Sequence, residues 1–200
     1  MSKRRAPQTW RGHLLAIVSV IVAVLATIMI PVGPAAAHQD PSLAPNGVSP
    51  FLYNQPFVLT TWYGEGLHVD WYNGVHYNDH YALDLVPTGG ACGKVLYPIY
   101  NGLSVYSVDR TNGTLDMRGT VGGAFHRLRY MHMDTIYVNP GQGVGTNTII
   151  GTVGTRGNST ACHLHLSVHR LASDGWFYSR RPMICGREIP HDHTATFASC

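Results

Sequence analysis

Residues 103–132 read LSVYSVDRTNGTLDMRGTVGGAFHRLRYMH, and this stretch contains the pattern that decides the fold. Apolar and polar residues alternate at 103–108, 115–119 and 125–132, and the sequences Thr-Asn-Gly and Val-Gly-Gly separate these runs. Such alternation predicts strands with one buried face, and Asn-Gly and Gly-Gly pairs are typical of hairpin turns. The stretch therefore predicts three consecutive antiparallel strands.

The same pattern continues on both sides of this stretch. Further strands are predicted at 81–86, 95–100, 149–153 and 163–169. The 22 glycines and 12 prolines favour short strands and turns, and helical periodicity is missing outside the N-terminal segment. We therefore predict an all-β fold, a single antiparallel β-sheet or sandwich domain at 57–185. Residues 38–56 are predicted to be a linker or ordered lead-in, and 186–200 a C-terminal tail.

The N-terminal residues 1–37 predict an export signal. A basic start precedes the apolar run 14–30, and Ala35-Ala36-Ala37 provides the small residues of a cleavage site. The alternative is an uncleaved membrane anchor, because a span of about 17 apolar residues can just cross a bilayer. In either case we expect the rest of the chain to act outside the cytoplasm, secreted or cell-wall associated, with membrane contact only through this segment.

The charge of the chain argues against nucleic acid as a partner. Residues 1–37 contain four basic and no acidic residues, so residues 38–200 contain 10 basic against 11 acidic residues. Nucleic-acid binding requires clustered Lys and Arg, which this nearly neutral body does not provide.

Four cysteines in an exported chain predict two disulfide bonds. The residues Cys92, Cys162, Cys185 and Cys200 allow three pairings, among which the sequence does not choose. A cysteine peptidase with Cys92 as nucleophile is a weaker alternative, because it would need a free thiol next to a histidine.

Histidine and aspartate residues indicate a metal site. His163-Leu164-His165 falls in a predicted strand, so both imidazoles project to the same side. Asp84 lies in the apolar run Tyr-Ala-Leu-Asp-Leu-Val, where a carboxylate without a partner is costly. Two histidines and one carboxylate form a zinc site that keeps a fourth position open for catalysis. By contrast, His191-Asp192-His193 lies in the polar tail and is interpreted as a solvated loop.

Together these motifs resemble the lysostaphin/LytM-type zinc metallopeptidases. That family has a histidine and an aspartate, then a lone histidine after a Tyr-x pair, then His-x-His; here His132 follows Tyr130-Met131. The segment VGTNTIIGTVGTRGNSTACHLHL at 144–166 is also similar to the family's stretch before and through its second motif. The resemblance covers roughly residues 60–170.

The resemblance implies one Zn²⁺ per chain, with Asp84 and His165 as ligands and with His132 and His163 as catalytic histidines that do not bind the metal. The third ligand stays open. The commonest family pattern selects His80, but Ala82 replaces its glycine, whereas a longer family spacing selects His76. We favour His76 over His80, with His68 third.

The function implied by the resemblance is hydrolysis of peptide bonds in peptidoglycan stem peptides or cross-bridges by a monomeric metalloendopeptidase. The base must be a histidine, because the only glutamates, Glu65 and Glu188, do not lie in a His-Glu-x-x-His motif. The alternative is an inactive member that acts as a zinc-containing cell-wall binding or regulatory module.

Overall fold

The computed structural model describes residues 39–69, 71–72, 75–76 and 78–200, and the side chains of 71–72 and 75–76 are outside this description. The predicted export signal, with its anchor alternative, therefore lies outside the described residues. In the part of the chain that is described, no helix has the length and apolarity needed to span a membrane.

Sixteen strands form the described structure. They are β1 (Gln39–Gly47), β2 (Phe57–Thr61), β3 (Trp71–Tyr72), β4 (Val75–His76), β5 (Leu83–Pro87), β6 (Val95–Leu96), β7 (Leu103–Asp109), β8 (Thr114–Val121), β9 (Ala124–Met131), β10 (Met133–Ile136), β11 (Gly143–Val144), β12 (Gly151–Val153), β13 (Leu164–Leu171), β14 (Phe177–Ile184), β15 (Arg187–Glu188) and β16 (Thr196–Phe197). The predicted all-β fold is confirmed.

One large sheet has the strand order β11-β7-β8-β9-β13-β5-β2-β16, and β14 extends it from β13 with β1 and β15 at its sides. All pairings in this sheet are antiparallel except that of β1 with β14, which is parallel. A small sheet, β10-β12-β6, and the pair β3-β4 complete the fold. The lead-in and the tail thus both contribute strands, while the domain boundaries at 57 and 185 stay predictions.

The core lies beneath the central strands of the large sheet. On β9 the alternation expected from the sequence is observed, because His126, Leu128 and Tyr130 are buried while the residues between them are partly exposed. Met117 of β8 and Leu83 of β5 are fully buried as well. Each such apolar side chain contributes about 1.5–3 kcal/mol on burial, so the middle of the sheet is its most stable part.

The structure contains two disulfide bonds, as predicted, and it shows how the four cysteines pair. Cys92 is bonded to Cys162, and Cys185 is bonded to Cys200. The first bond joins the loop before His163 to the segment that follows β5. The second bond ties the C-terminus to the end of β14. No described cysteine is free, so Cys92 is not available as a nucleophile.

Candidate metal centre

Neighbouring strands bring the predicted site residues together. Asp84 on β5 and His165 on β13 are cross-strand partners, and His165 also faces Met131, the last residue of β9. Directly opposed residues in an antiparallel pair project to the same side of the sheet. His132 follows Met131, so the pairing of β5, β13 and β9 places three of the predicted residues at one point.

Three side chains form a cluster of metal-binding donors, which we call the buried cluster: His68, Asp84 and His165. Nε2 of His68 and Nδ1 of His165 each lie 3.1 Å from Oδ1 of Asp84. All three donor atoms lie within 4.8 Å of one another. The cluster is therefore compact enough for a single ion to reach every donor.

The hydrogen bonds of His68 show that this cluster suits a cation. Its Nδ1–H donates to the carbonyl oxygen of Trp62 at 2.9 Å, so in the neutral ring Nε2 carries a lone pair. In that neutral form the lone pair faces Oδ1 of Asp84 at 3.1 Å and repels it, so the contact requires a positive charge, supplied either by a proton on Nε2 or by a bound cation. A cation between them turns this repulsion into attraction, and imidazole nitrogen with carboxylate oxygen is a donor set that zinc prefers.

The charges of the cluster follow from its neighbours. Burial favours a neutral carboxyl group, but His165 and His68 hold the pKa of Asp84 well below its usual range. Burial also favours a neutral His165 ring, but the carboxylates of Asp79 and Asp84 outweigh it and raise the pKa of His165 to about 9. Asp84 is therefore ionised at neutral pH, and the site has a strong demand for positive charge.

Asp79 lies behind His165 and was not singled out as a site residue by the sequence. It is buried, with Oδ2 3.5 Å from Nε2 of His165 and Oδ1 3.2 Å from Nε2 of His169. Nε2 of His165 is thus directed at a carboxylate while Nδ1 faces Asp84. A carboxylate on the far nitrogen orients a ligating imidazole and raises its basicity.

His132 and His163 lie beside the buried cluster, with their ring centroids 4.6 Å apart. Nδ1–H of His132 donates to Arg156 O at 2.8 Å, and Nδ1–H of His163 donates to Ala161 O at 2.9 Å. In its neutral form each ring therefore presents an unprotonated Nε2. Burial and the neighbouring His163 lower the pKa of His132 to about 4, which keeps it neutral at physiological pH.

Backbone geometry directs these two histidines. His132 has φ = 63°, a left-handed conformation that is rare for a residue with a side chain and that concentrates at functional sites. The segment leading to His163 passes close to this turn at Gly154, where an added Cβ would lie 2.5 Å from the backbone nitrogen of Asp134. Only glycine fits at position 154, because any side chain there would collide with the backbone of Asp134. Gly154 therefore allows the two segments to lie close together.

A cavity of about 450 Å³ contains the buried cluster and both histidines. Its wall also includes Thr60, Leu67 and Asn158. Both His163 and His165 line it, whereas Leu164 between them is fully buried in the core, as the predicted alternation requires. The volume of the cavity lies within the range that is usual for ligand-binding pockets.

The structure does not place His80 in the buried cluster. A backbone hydrogen bond of 2.8 Å from Ala82 N to Asp79 O makes a turn just before β5. His80 packs against the backbone of Gly64, where an added Cβ would lie 2.9 Å from Cε1 of its ring. The side chain of His76 is outside the described residues, so the preference for His76 stays a prediction. His68, ranked third from sequence, is the histidine that contacts Asp84.

The fold and the donor set define a class, that of all-β proteins whose sheet carries a cluster of histidine and carboxylate donors able to hold a metal ion. Residues 93–176 match the model of peptidase family M23, a segment that includes His132, His163 and His165. Asp84 and His68 precede the matched segment. The resemblance to lysostaphin/LytM-type peptidases is confirmed. No curated protein sequence matches the chain.

Several solved structures are similar to the chain. A zinc-containing peptidase from Vibrio cholerae is 20% identical, with a TM-score of 0.47 over 68% of this chain and 39% of that one. The catalytic domain of lysostaphin from Staphylococcus simulans is 24% identical, with a TM-score of 0.46 over 62% of this chain and 88% of that one. A putative M23 peptidase from Pseudomonas aeruginosa is 19% identical, with a TM-score of 0.41 over 78% and 57%.

Proposed function

We propose that the chain is an exported zinc metalloendopeptidase that hydrolyses peptide bonds in peptidoglycan stem peptides or cross-bridges. His68, Asp84 and His165 are the proposed zinc ligands, and His132 and His163 the proposed catalytic histidines. The observation that carries the proposal is the convergence of Nε2 of His68 and Nδ1 of His165 on Oδ1 of Asp84, each at 3.1 Å, inside a cavity that two further histidines line. The family match at 93–176 supports peptide-bond hydrolysis.

The proposed mechanism follows from the hydrogen bonds and the spacing of His132 and His163. Zinc, when bound, polarises a peptide carbonyl and makes water a stronger acid. His132 and His163 are fixed by backbone carbonyls through Nδ1, so each offers Nε2 to the cavity as a proton acceptor. With ring centroids 4.6 Å apart, two protonated rings would repel each other. Only one ring therefore carries the extra proton at a time: the ring that accepts a proton from water delivers it to the leaving amine, while the other ring stays neutral.

Export to the cell wall is supported by the N-terminal sequence and by the two disulfide bonds, which form in oxidising compartments. The substrate that the resemblance implies is a short wall peptide, often one that contains glycine. Such a peptide suits a cavity of about 450 Å³ that is walled by threonine, asparagine and leucine.

The test is to load the purified full chain with zinc and to measure new amino termini released from purified peptidoglycan. We expect release by the wild type and by His80→Ala, and background release by His165→Ala with one zinc fewer per chain. Zinc binding without peptide release from several wall types would instead support the binding-module alternative. Failure of His165→Ala to change the zinc content would refute the ligand assignment.

A further inference from the structure

A second group of donor side chains lies outside the cavity; we call Glu65, His191 and His193 the exposed cluster. Nε2 of His191 lies 2.8 Å from Oε1 of Glu65 and 3.1 Å from Nε2 of His193. Nε2 of His193 lies 3.6 Å from Oε2 of Glu65. These donor atoms lie within 4.8 Å of one another. The tail motif interpreted from sequence as a solvated loop thus meets an acidic residue 126 positions away.

Hydrogen bonding alone does not satisfy this arrangement. A neutral imidazole nitrogen carries either one proton or one lone pair. If Nε2 of His191 carries the proton, that proton cannot point squarely at both Glu65 and His193. If Nε2 carries the lone pair, it faces a carboxylate at 2.8 Å, which is repulsive. A cation at the centre of the three donors makes every contact attractive.

The spacing also suits a particular ion. Two nitrogen ligands about 2.0 Å from a tetrahedral zinc lie about 3.3 Å apart. The contacts within the exposed cluster, 2.8, 3.1 and 3.6 Å, bracket this value. Imidazole with one carboxylate is a donor set for zinc and neighbouring transition metals rather than for calcium or magnesium. We propose that the exposed cluster binds a second divalent transition-metal ion of the zinc class.

Neighbouring groups hold each donor in place before any ion binds. The ring of Trp62 stacks on His191 with centroids 4.7 Å apart and planes inclined by 6°. The backbone N–H of Trp62 donates to Oε2 of Glu65 at 2.6 Å, and its indole N–H donates to Ile189 O at 3.1 Å. Between the histidines, Oδ1 of Asp192 accepts from Thr194 N at 2.8 Å. The turn at Asp192 thus places both imidazoles on one side.

The role of this ion is to fasten the C-terminal tail to the loop that carries His68. Glu65 O accepts from His68 N at 2.9 Å, and Trp62 O accepts from Nδ1–H of His68 at 2.9 Å. The loop from Trp62 to His68 therefore contributes one donor to each cluster. An ion at the exposed cluster holds this loop to the tail from outside, without touching the cavity.

The test separates the two clusters by removing the buried one. We would add zinc to the full chain bearing His165→Ala, remove unbound metal by gel filtration and count zinc per chain. We expect one zinc, falling to none when His191→Ala or His193→Ala is added. Asp192→Asn is the matched control, because Oδ1 still accepts from Thr194 N while the charge is removed, and it should retain the zinc.

Cobalt provides a second measurement that does not depend on the fold of His165→Ala. In the otherwise wild-type chain, cobalt should bind at two equivalents, and the double variant His191→Ala, His193→Ala should keep one. Equal zinc and cobalt binding with and without His191 and His193 would overturn the proposal. Loss of binding in Asp192→Asn would overturn the assignment of Glu65 as the third ligand. Neither result depends on peptide hydrolysis, so a failure of the proposed function is recognised separately.

Discussion

The buried cluster and the exposed cluster contain the same donors, two imidazoles and one carboxylate, on very different supports. In the buried cluster, Asp84 and His165 lie on paired strands, and the three side chains are 3%, 12% and 8% exposed. In the exposed cluster, the donors lie on a loop and a tail, and their side chains are 35%, 50% and 41% exposed. The same donor set therefore occurs once in low dielectric and once in solvent.

This difference determines what each site can do. Asp84 lies between Leu83 and Leu85, both fully buried, and an ionised carboxylate there is costly unless a positive charge accompanies it. Electrostatic interactions in such surroundings are strong, which suits the stabilisation of charge that develops during a reaction. Around the exposed cluster water screens the charges, so an ion there can join two segments and still exchange with solvent.

The largest effect should come from His68→Ala, which removes a donor from the buried cluster alone. We expect this variant to lose one of two zinc ions and to release peptide from peptidoglycan only at background, because Asp84 and His165 alone leave the ion poorly held. His80→Ala, in which the altered ring packs against Gly64, should retain both. Zinc counting and amino-terminus release on the same samples provide the measurement.

His76→Ala belongs in the same series, because its side chain is outside the described residues. Full zinc in His68→Ala together with a loss in His76→Ala would move the third ligand to His76 and contradict the contact seen between His68 and Asp84. A loss in His68→Ala alone would make His68 the ligand.

Most of the fold could be predicted, because the strands at 103–132 alternate strictly and are separated by strong turn sequences. Two long strands that were not predicted, β1 and β14, lack such a pattern. Phe177–Ile184 contains two arginines and a proline, and Gln39–Gly47 is polar and rich in proline. These two strands pair with each other in parallel at the edge of the sheet, where Arg180 binds Asp40 at 2.7 Å. Tertiary contacts of this kind leave no periodicity in the sequence.

The candidate site could be predicted where its residues lie on strands and not where they lie on loops. Asp84 and His165 are brought together by strand pairing, which motif spacing already indicates. His68 reaches the site through a loop shaped by Glu65 and Trp62, and nothing in its local sequence marks it. Asp79 was also missed. It is directed inward by a turn at Asn78, which has φ = 57°, and that angle belongs to the folded backbone.

A smaller effect is expected from Asp79→Asn, which leaves every donor of both clusters intact. The substitution removes the charge that faces Nε2 of His165, so we expect zinc affinity at the buried cluster to fall about 10-fold to 100-fold. Affinity at the exposed cluster should not change. Competition with a chelator resolves the two affinities, and Asp134→Asn, at an exposed carboxylate, is the control. Equal loss at both clusters would indicate general unfolding rather than positioning of His165.

Removing the second disulfide bond should weaken the exposed cluster and spare the buried cluster, which is the reverse of the effect of Asp79→Asn. The double variant Cys185→Ser, Cys200→Ser frees the tail. The bond closes a loop of 15 residues, so its loss lowers the free energy of unfolding by about 3 kcal/mol through the chain entropy of the unfolded state. We expect weaker zinc binding at the exposed cluster and a lower midpoint of thermal unfolding, with unchanged binding at the buried cluster. If the buried cluster weakens by the same factor, the tail supports the whole sheet and the comparison between the clusters fails.

The smallest effect concerns the ion pair beneath the buried cluster and depends on pH. Burial favours a neutral Asp116, but bonds of 2.8 and 3.1 Å from Arg129 lower the pKa of its carboxyl group. Because the folded pKa lies below the unfolded value, this pair stabilises the fold above about pH 4, and the contribution is lost as pH falls through the folded pKa.

We therefore expect Asp116→Asn to lower the free energy of unfolding by about 2 kcal/mol at pH 7 and by less at pH 3. Chemical denaturation at both pH values measures the difference, with Asp134→Asn as the exposed control. Arg129 also lies 4.0 Å from Asp79, so the variant should weaken zinc at the buried cluster slightly and leave the exposed cluster unchanged. If the loss in the free energy of unfolding does not vary with pH, Asp116 acts by packing. The buried cluster would then be positioned by strand pairing alone.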